Sequence, residues 1–392
     1  MKYTFKTFPC GAGDCIFFVI KDEEHAINVM IDCGQYRPEI GDFVKNELGG
    51  KIDYLIATHI DNDHIDGLVT MLRQNKEFSI KHILFNCYQR IMDNSCDWSE
   101  QMKENVKNIY CELPVVVDMM DQNINETKAV TLAECILENE SWKKAWQREY
   151  ITDENPPIVL DHGMGKIVFL SPSKDTLDKL DVKYRKLFWQ YLYKQKTEDF
   201  DNEETIYEAL MRISKLNEME DIMEEYVSSR EINEMTLRQY AKEPLKKMTD
   251  NNVASIAFVW EYQNHKILFM GDADPVQVTT AIEKTYPDVE KPIVFDLIKV
   301  SHHGSSHSTS EELMKVADSG MYFFTGGSNK APSKQTLGRI ITADLPSGLL
   351  CREIRYNRPN EVLKALAGFS DEEKDKLNFK IKENDNCYEV SI

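Results

Sequence analysis

Short apolar runs separated by glycine-bearing turns open the chain. Tyr3 to Phe8, Cys15 to Lys21, Ala26 to Ile31 and Tyr54 to Ala57 have the length and the β-branched and aromatic content of strands. A helix is predicted after Asp66 (GLVTMLRQ), a strand at His82 to Phe85, and then mixed helical sequence in which Trp142 and Trp146 lie about one turn apart. Between Ser173 and Glu243 there is no Gly or Pro, and Lys, Glu, Leu, Met and Tyr dominate, as helices favour. Ile206, Leu210, Ile213, Leu216 and Met219 recur there at helical spacing, so one face packs on something, more readily core than partner. The β pattern resumes with Ala254 to Tyr262, Lys266 to Met270 and Asp296 to Val300. A strand at Tyr322 to Thr325, a helix at Lys334 to Ala343 and a closing strand at Tyr388 to Ile392 follow. The expectation is a single α/β domain over residues 1–392 with a helical insertion at 173–250.

Composition narrows the class. At 392 residues, 42% hydrophobic and 10% aromatic, the chain is too apolar for disorder and long enough to bury a large core. Its 47 Lys+Arg against 66 Asp+Glu give a formal charge of -19, which disfavours extended non-specific contact with polyanions. No run reaches the roughly 18 apolar residues of a bilayer span, and MKYTFKTFPC lacks an apolar core, so the cytoplasm is the expected location. Nine Cys without a C-x-x-C motif read as reduced, buried thiols rather than a disulfide framework or the chemistry of the protein.

The chemistry concentrates where apolar runs end. THIDNDHIDG, Thr58 to Gly67, follows the strand-like DYLIA and offers His59, Asp61, Asp63 and His64 within six residues. Imidazoles and carboxylates so close suit Zn²⁺ or Mn²⁺; the blander alternative is a capped helix start with solvated Asp. KILFMGDAD ends an apolar run in Gly271 and Asp272, which alone is only a turn. FDLIKVSHHGSSHS supplies His302, His303 and His307, with one imidazole of the His-His pair on metal and the other contacting substrate or donating a proton. NVMIDCG ends in Asp32, a carboxylate placed to orient a ligating imidazole. Each group follows a predicted strand, and that repetition strengthens all four.

Together these motifs resemble the metallo-β-lactamase superfamily of hydrolases. The family's usual second motif is H-x-H-x-D-H, and here Asp61 stands at the middle His. H-x-D-x-D-H, the opening FPCGAGDCIFFVI with Gly11 to Asp14, and the late KVSHHGS are similar to the hydrolase domain of ComEC-type DNA-internalisation competence proteins and their soluble relatives. Asn252 and Ser255 match the Asn-x-x-Ser before that branch's Gly-Asp strand. The resemblance covers roughly residues 1–90, 156–172 and 250–345, and Ala331 stands before Pro332 where the family has His.

The resemblance implies a four-layer αββα sandwich with a helical insertion, and one or two divalent ions, Zn²⁺ or Mn²⁺, activating a water. Carried over, His59 and Asp61 serve one ion, Asp63, His64 and His302 or His303 the other, and Asp272 bridges. His302 is taken as the ligand and His303, with Asp63, as catalytic. Asp14, Asp32, Asn252, Ser255 and His307 are expected to orient ligands or touch substrate. The implied substrate is a phosphodiester, either nucleic acid or a small molecule, with the insertion as a lid or gate. Lys299, Lys330, Lys334 and Arg339 near the late motifs offer a local basic groove, although isolated Lys and Arg are mostly solvated surface. Two rival readings are a non-catalytic module that binds a protein partner through the insertion, and a hydrolase of non-phosphate esters, amides or lactones.

Overall fold

The computed structural model describes residues 1–86, 132–146, 150–180, 232–383 and 386–392. The expected apolar face from Ile206 to Met219 lies outside them, as does most of the 173–250 insertion.

Strands β1 (Lys2–Thr7), β2 (Ile16–Lys21), β3 (Ala26–Ile31), β4 (Lys51–Ala57) and β5 (Ser79–Phe85) pair in chain order. A second series follows: β6 (Ile158–Val159), β7 (Lys166–Ser171), β8 (Ala257–Tyr262), β9 (His265–Phe269), β10 (Ile293–Phe295), β11 (Leu297–Lys299), β12 (Ala317–Ser319), β13 (Met321–Phe324), β14 (Arg352–Tyr356) and β15 (Phe379–Glu383). The last strand, β16 (Cys387–Ser391), returns to pair antiparallel with β1. One sheet therefore runs β16-β1-β2-β3-β4-β5 and the other β15-β14-β13-β11-β9-β8-β7-β6, with β10 and β12 forming a short parallel pair beside them.

Why the sheets stack follows from the side-chain alternation. In β1 every second residue is buried, and Tyr3 and Phe5 point at the opposite sheet. Phe5 meets Phe323 at 4.6 Å between ring centroids, and Phe18 meets Trp260 edge-on at 5.1 Å. The outer face of the first sheet, through Phe17, Met30 and Leu55, packs on Ile40 and Val44 of the Pro38–Asn46 helix and on Leu68 and Met71 of the Asn62–Gln74 helix. The outer face of the second carries Val259, Leu268 and Ile298 against Val278, Ile282, Leu337 and Ile340. Three apolar seams between four layers make an αββα sandwich, the architecture expected from the sequence.

Several local expectations shift. The helix after β4 starts at Asn62, not after Asp66, so Asp63 and His64 stand on its first turn. Residues 250–253 form a short helix, which delays β8 to Ala257. At the described end of the insertion the Glu234–Ala241 helix crosses the Lys334–Thr342 helix at Gly338, where a Cβ would sit 2.5 Å from the Leu237 carbonyl oxygen. Two of the four cations read as solvated surface are buried instead. Lys299 is 1% exposed, and Arg339 donates to the carbonyls of Ala241, Glu243, Ser306 and Thr309. Among the described residues no helix is long and apolar enough to cross a membrane.

Candidate metal centre

One edge of the sandwich collects the chemistry, and strand direction explains why. Strands β3, β4 and β5 are mutually parallel, as are β9, β11 and β13, so the residues after β3, β4, β9, β11 and β13 emerge at carboxyl ends. Strands β2 and β8 run antiparallel to β3 and β9, so the residues before them reach the same edge. Asp14, Asp32, His59, Asp61, Asn252, Ser255, Asp272, His302 and His303 all stand at such ends, as is usual for ligand sites in sheets with parallel strands.

Asp272 is the meeting point. Its Oδ2 lies 3.3 Å from His64 Nε2, 3.8 Å from His303 Nε2, 3.9 Å from His302 Nε2 and 4.0 Å from His59 Nε2. Asp61 Oδ2 is 3.4 Å from His59 Nε2, and Asp63 Oδ2 is 3.2 Å from His303 Nε2. Asp63 Oδ1 stands 3.8 Å from His64 Nε2. Two donor groups result, His59–His64–Asp272 and Asp63–His64–His303, each within 4.8 Å, and they share His64.

The rings are aimed by their other nitrogens. His64 Nδ1 donates to Asp32 Oδ2 at 2.8 Å, and His303 Nδ1 donates to the Thr325 carbonyl at 2.8 Å. Thr58 is the third pivot: its backbone N–H and its hydroxyl both donate to Asp32, at 2.7 Å each. Because that hydroxyl proton is committed, Thr58 Oγ1 accepts from His59 Nδ1 at 3.1 Å. Asp32 thus orients His64 directly and His59 through Thr58, leaving all three Nε2 atoms facing the acidic cluster. Those of His59 and His64 are buried without a hydrogen-bond partner. Asp32, His302 and His303 all sit at φ of +44° to +56°, strain of about 1–3 kcal/mol each that concentrates at functional sites.

A cation fits this set. Asp14, Asp32, Asp61 and Asp272 are buried beside one another, and among the described residues Lys299 is the permanent cation in contact, paired with Asp14 and 3.8 Å from Asp272 Oδ1. Burial opposes charge on His64, yet Asp272, Asp63 and Asp32 outweigh it and hold its pKa well above the ordinary imidazole range. Burial is likewise overcome at His303, pushed up to about 10 by Asp14 and Asp272. The surrounding carboxylates therefore favour positive charge at this point, which a bound divalent ion would supply, with imidazole and carboxylate donors suited to it.

The remaining expected residues surround this core. Asn251, which the sequence did not single out, donates to Asp61 Oδ1 at 2.8 Å. Asn252 Nδ2 faces the His302 ring at 3.4 Å, and Ser255 Oγ accepts from the Asp272 N–H at 3.0 Å. His302 is the more open of the paired histidines, its side chain 27% exposed against 6% for His303. His307 lies beside it, ring centroids 6.4 Å apart. Asp14 Oδ1 stands 3.2 Å behind His303 Nδ1. Gly13 and Gly34 are needed for close approach, since a Cβ at either would fall within 2 Å of the Asp63 carbonyl oxygen. Thr58, a hydroxyl between strand and motif, has no role in the sequence reading, and Lys299, read there as part of a basic groove or solvated surface, is instead the buried partner of Asp14, a lone Lys inside the apolar FDLIKV.

No family model matches the chain, and a search of curated proteins returns no match. Solved structures with a similar chain course include a mutant of the CmlA β-hydroxylase, at 8% identity and TM-score 0.38, covering 99% of this chain and 54% of that one. Others are the metallo-β-lactamase fold protein YhfI from Bacillus subtilis (9%, 0.37, covering 91% and 98%) and a long form RNase Z from yeast (12%, 0.36, covering 91% and 40%). The chain spans about half the length of the first. At scores this low the likenesses carry no argument, and the fold class, a mixed α/β αββα sandwich, rests on the chain's own layers.

Proposed function

We propose that the chain is a metal-dependent hydrolase of the metallo-β-lactamase superfamily, allied to the ComEC-like branch, that cleaves phosphodiester bonds. The observation that carries this is the convergence of the His59, His64 and His303 Nε2 atoms on Asp272 Oδ2, with two of those nitrogens buried and unpartnered. In this reading His59, Asp61, His64 and Asp272 hold one divalent ion, and Asp63, His64 or Asp272, and His303 a second. Such an ion, Zn²⁺ or Mn²⁺, lowers the pKa of water and offsets charge developing on phosphoryl oxygens.

The protein's own groups divide the remaining work. Asp63, a third exposed, is the carboxylate of the set most open to the cleft, and it orients an attacking water or takes its proton. His303 receives the ligand role because Thr325 and Asp14 hold its buried ring toward Asp63 and His64. His302, more open and flanked by Asn252 and by Ser305 at 3.0 Å, faces substrate. Phosphodiesters are preferred over carbonyl esters on the strength of the H-x-D-x-D-H and His-His-Gly motifs, and the -19 charge favours small or single-stranded substrates over a long duplex.

The test is elemental analysis of the purified protein followed by turnover of bis-p-nitrophenyl phosphate with Mn²⁺ or Zn²⁺. Stoichiometric metal and turnover that Asp63→Ala abolishes is the expected result. Metal bound without turnover of any phosphodiester would point instead to the non-catalytic module.

A further inference from the structure

Beneath the cleft three cysteines converge. Cys10 lies in the turn after β1, Cys15 immediately precedes β2, and Cys33 follows Asp32 at the end of β3. They are 3%, 1% and 0% exposed, and their sulfurs all lie within 4.8 Å of one another. A buried thiol is ordinary packing, and two neighbours would suffice for a disulfide; three, brought together from two connections, are the donor count of a metal site.

We propose that Cys10, Cys15 and Cys33 form a second metal site, all-sulfur and three-coordinate, for a soft thiophilic ion, with Cu(I) as the ion that the donors match. Sulfur-only donors select Cu(I), zinc or iron–sulfur clusters over the harder ions suited to the Asp-rich cleft. Zinc completes a tetrahedron, and among the described residues this group contains no fourth side-chain donor. The sulfurs are closed to water, and the polar neighbour on Cys10 Sγ is the Gln35 carbonyl at 3.2 Å. Binding displaces the thiol protons to solvent and transfers no electrons.

The position gives this site a consequence. Cys15 follows Asp14, which backs His303; Cys33 follows Asp32, which orients His64, and the Cys33 N–H donates to the His64 carbonyl at 2.7 Å. An ion on the three sulfurs ties together the loops that aim the cleft.

The test titrates the reduced full-length protein with Cu(I) under anaerobic conditions against bathocuproine disulfonate. One equivalent withheld from the chelator, lost in the Cys10→Ser/Cys15→Ser/Cys33→Ser variant, is expected, with three sulfur neighbours and no nitrogen or oxygen at copper by X-ray absorption. Failure to withhold Cu(I), an undiminished equivalent in the triple variant, or a two-sulfur or nitrogen-containing shell would overturn the proposal. So would a Zn²⁺ titration that fills the same sulfurs in four-coordinate form and excludes Cu(I). If the triple variant does not fold, the wild-type absorption spectrum decides.

Discussion

Two buried ionic clusters in this protein look alike by composition and differ in what they leave undone. At the far side of the second sheet Arg352 and Asp318, each 1% exposed, form a bidentate pair at 3.0 and 2.6 Å. Arg352 also donates to the Ala343 and Asp344 carbonyls, while Tyr322 and the Ser319 N–H donate to Asp318 Oδ1. Both charged partners are therefore satisfied by the protein itself, and the cluster is a staple between β12 and β14. In the cleft, by contrast, His59 Nε2, His64 Nε2 and Asp272 Oδ1 are buried with no hydrogen-bond partner, although each is held firmly from behind. Burial of charge is common to both; convergence of unsatisfied donors on one point marks the site.

The contrast can be broken at its strongest point first. Asp272→Ala should remove bound metal by elemental analysis and cut phosphodiester turnover at least about a thousandfold, because the several kcal/mol supplied by the ion are lost. Arg352→Met should do the opposite, costing about 3–5 kcal/mol in urea unfolding by stranding Asp318, with turnover per folded molecule unchanged. A variant that exchanged these outcomes would end the distinction.

Smaller effects sharpen it. Chelation of the cleft ion should lower unfolding stability, with about 2.7 kcal/mol regained when metal is restored at roughly a hundred times its dissociation constant, measured by thermal melts. The Arg352 variant should gain the same increment, since its lesion is elsewhere. Asp32→Asn should weaken metal affinity about 10–100-fold, because it loosens His64 directly and His59 through Thr58. If a competition titration finds Asp32→Asn equal to wild type, the orienting chain from Asp32 through Thr58 has no role.

The legible parts of this protein were local. His59, Asp61, Asp63 and His64 crowd one segment, and Gly271-Asp272 and His302-His303 each follow an apolar run, so strand ends could be read as places where side chains gather. Alternation in Lys2–Thr7 likewise announces a sheet with one buried face. Thr58, Lys299, Arg339 and the three-thiol cluster were not legible in the same way. A lysine is a surface residue on average, and only the approach of Asp14, far away in sequence, turns Lys299 into a buried counter-charge.

Residue type and spacing by themselves determined the strands of the first sheet and four of the second, β8, β9, β11 and β13, but not β6, β7, β10, β12, β14 or β15; they also determined that the chain could build a large core, and that carboxylates and imidazoles stand at strand ends. They did so because pleating and hydrophobic burial act over a few residues. Which nitrogen of each ring faces the cleft, that His303 rather than His302 stands beside Asp63 and His64, and that Cys10, Cys15 and Cys33 share one buried point were decided only by the tertiary structure. Those relations depend on parallel strands delivering distant loops to one edge, where distances of a few ångströms set both the charge and the chemistry.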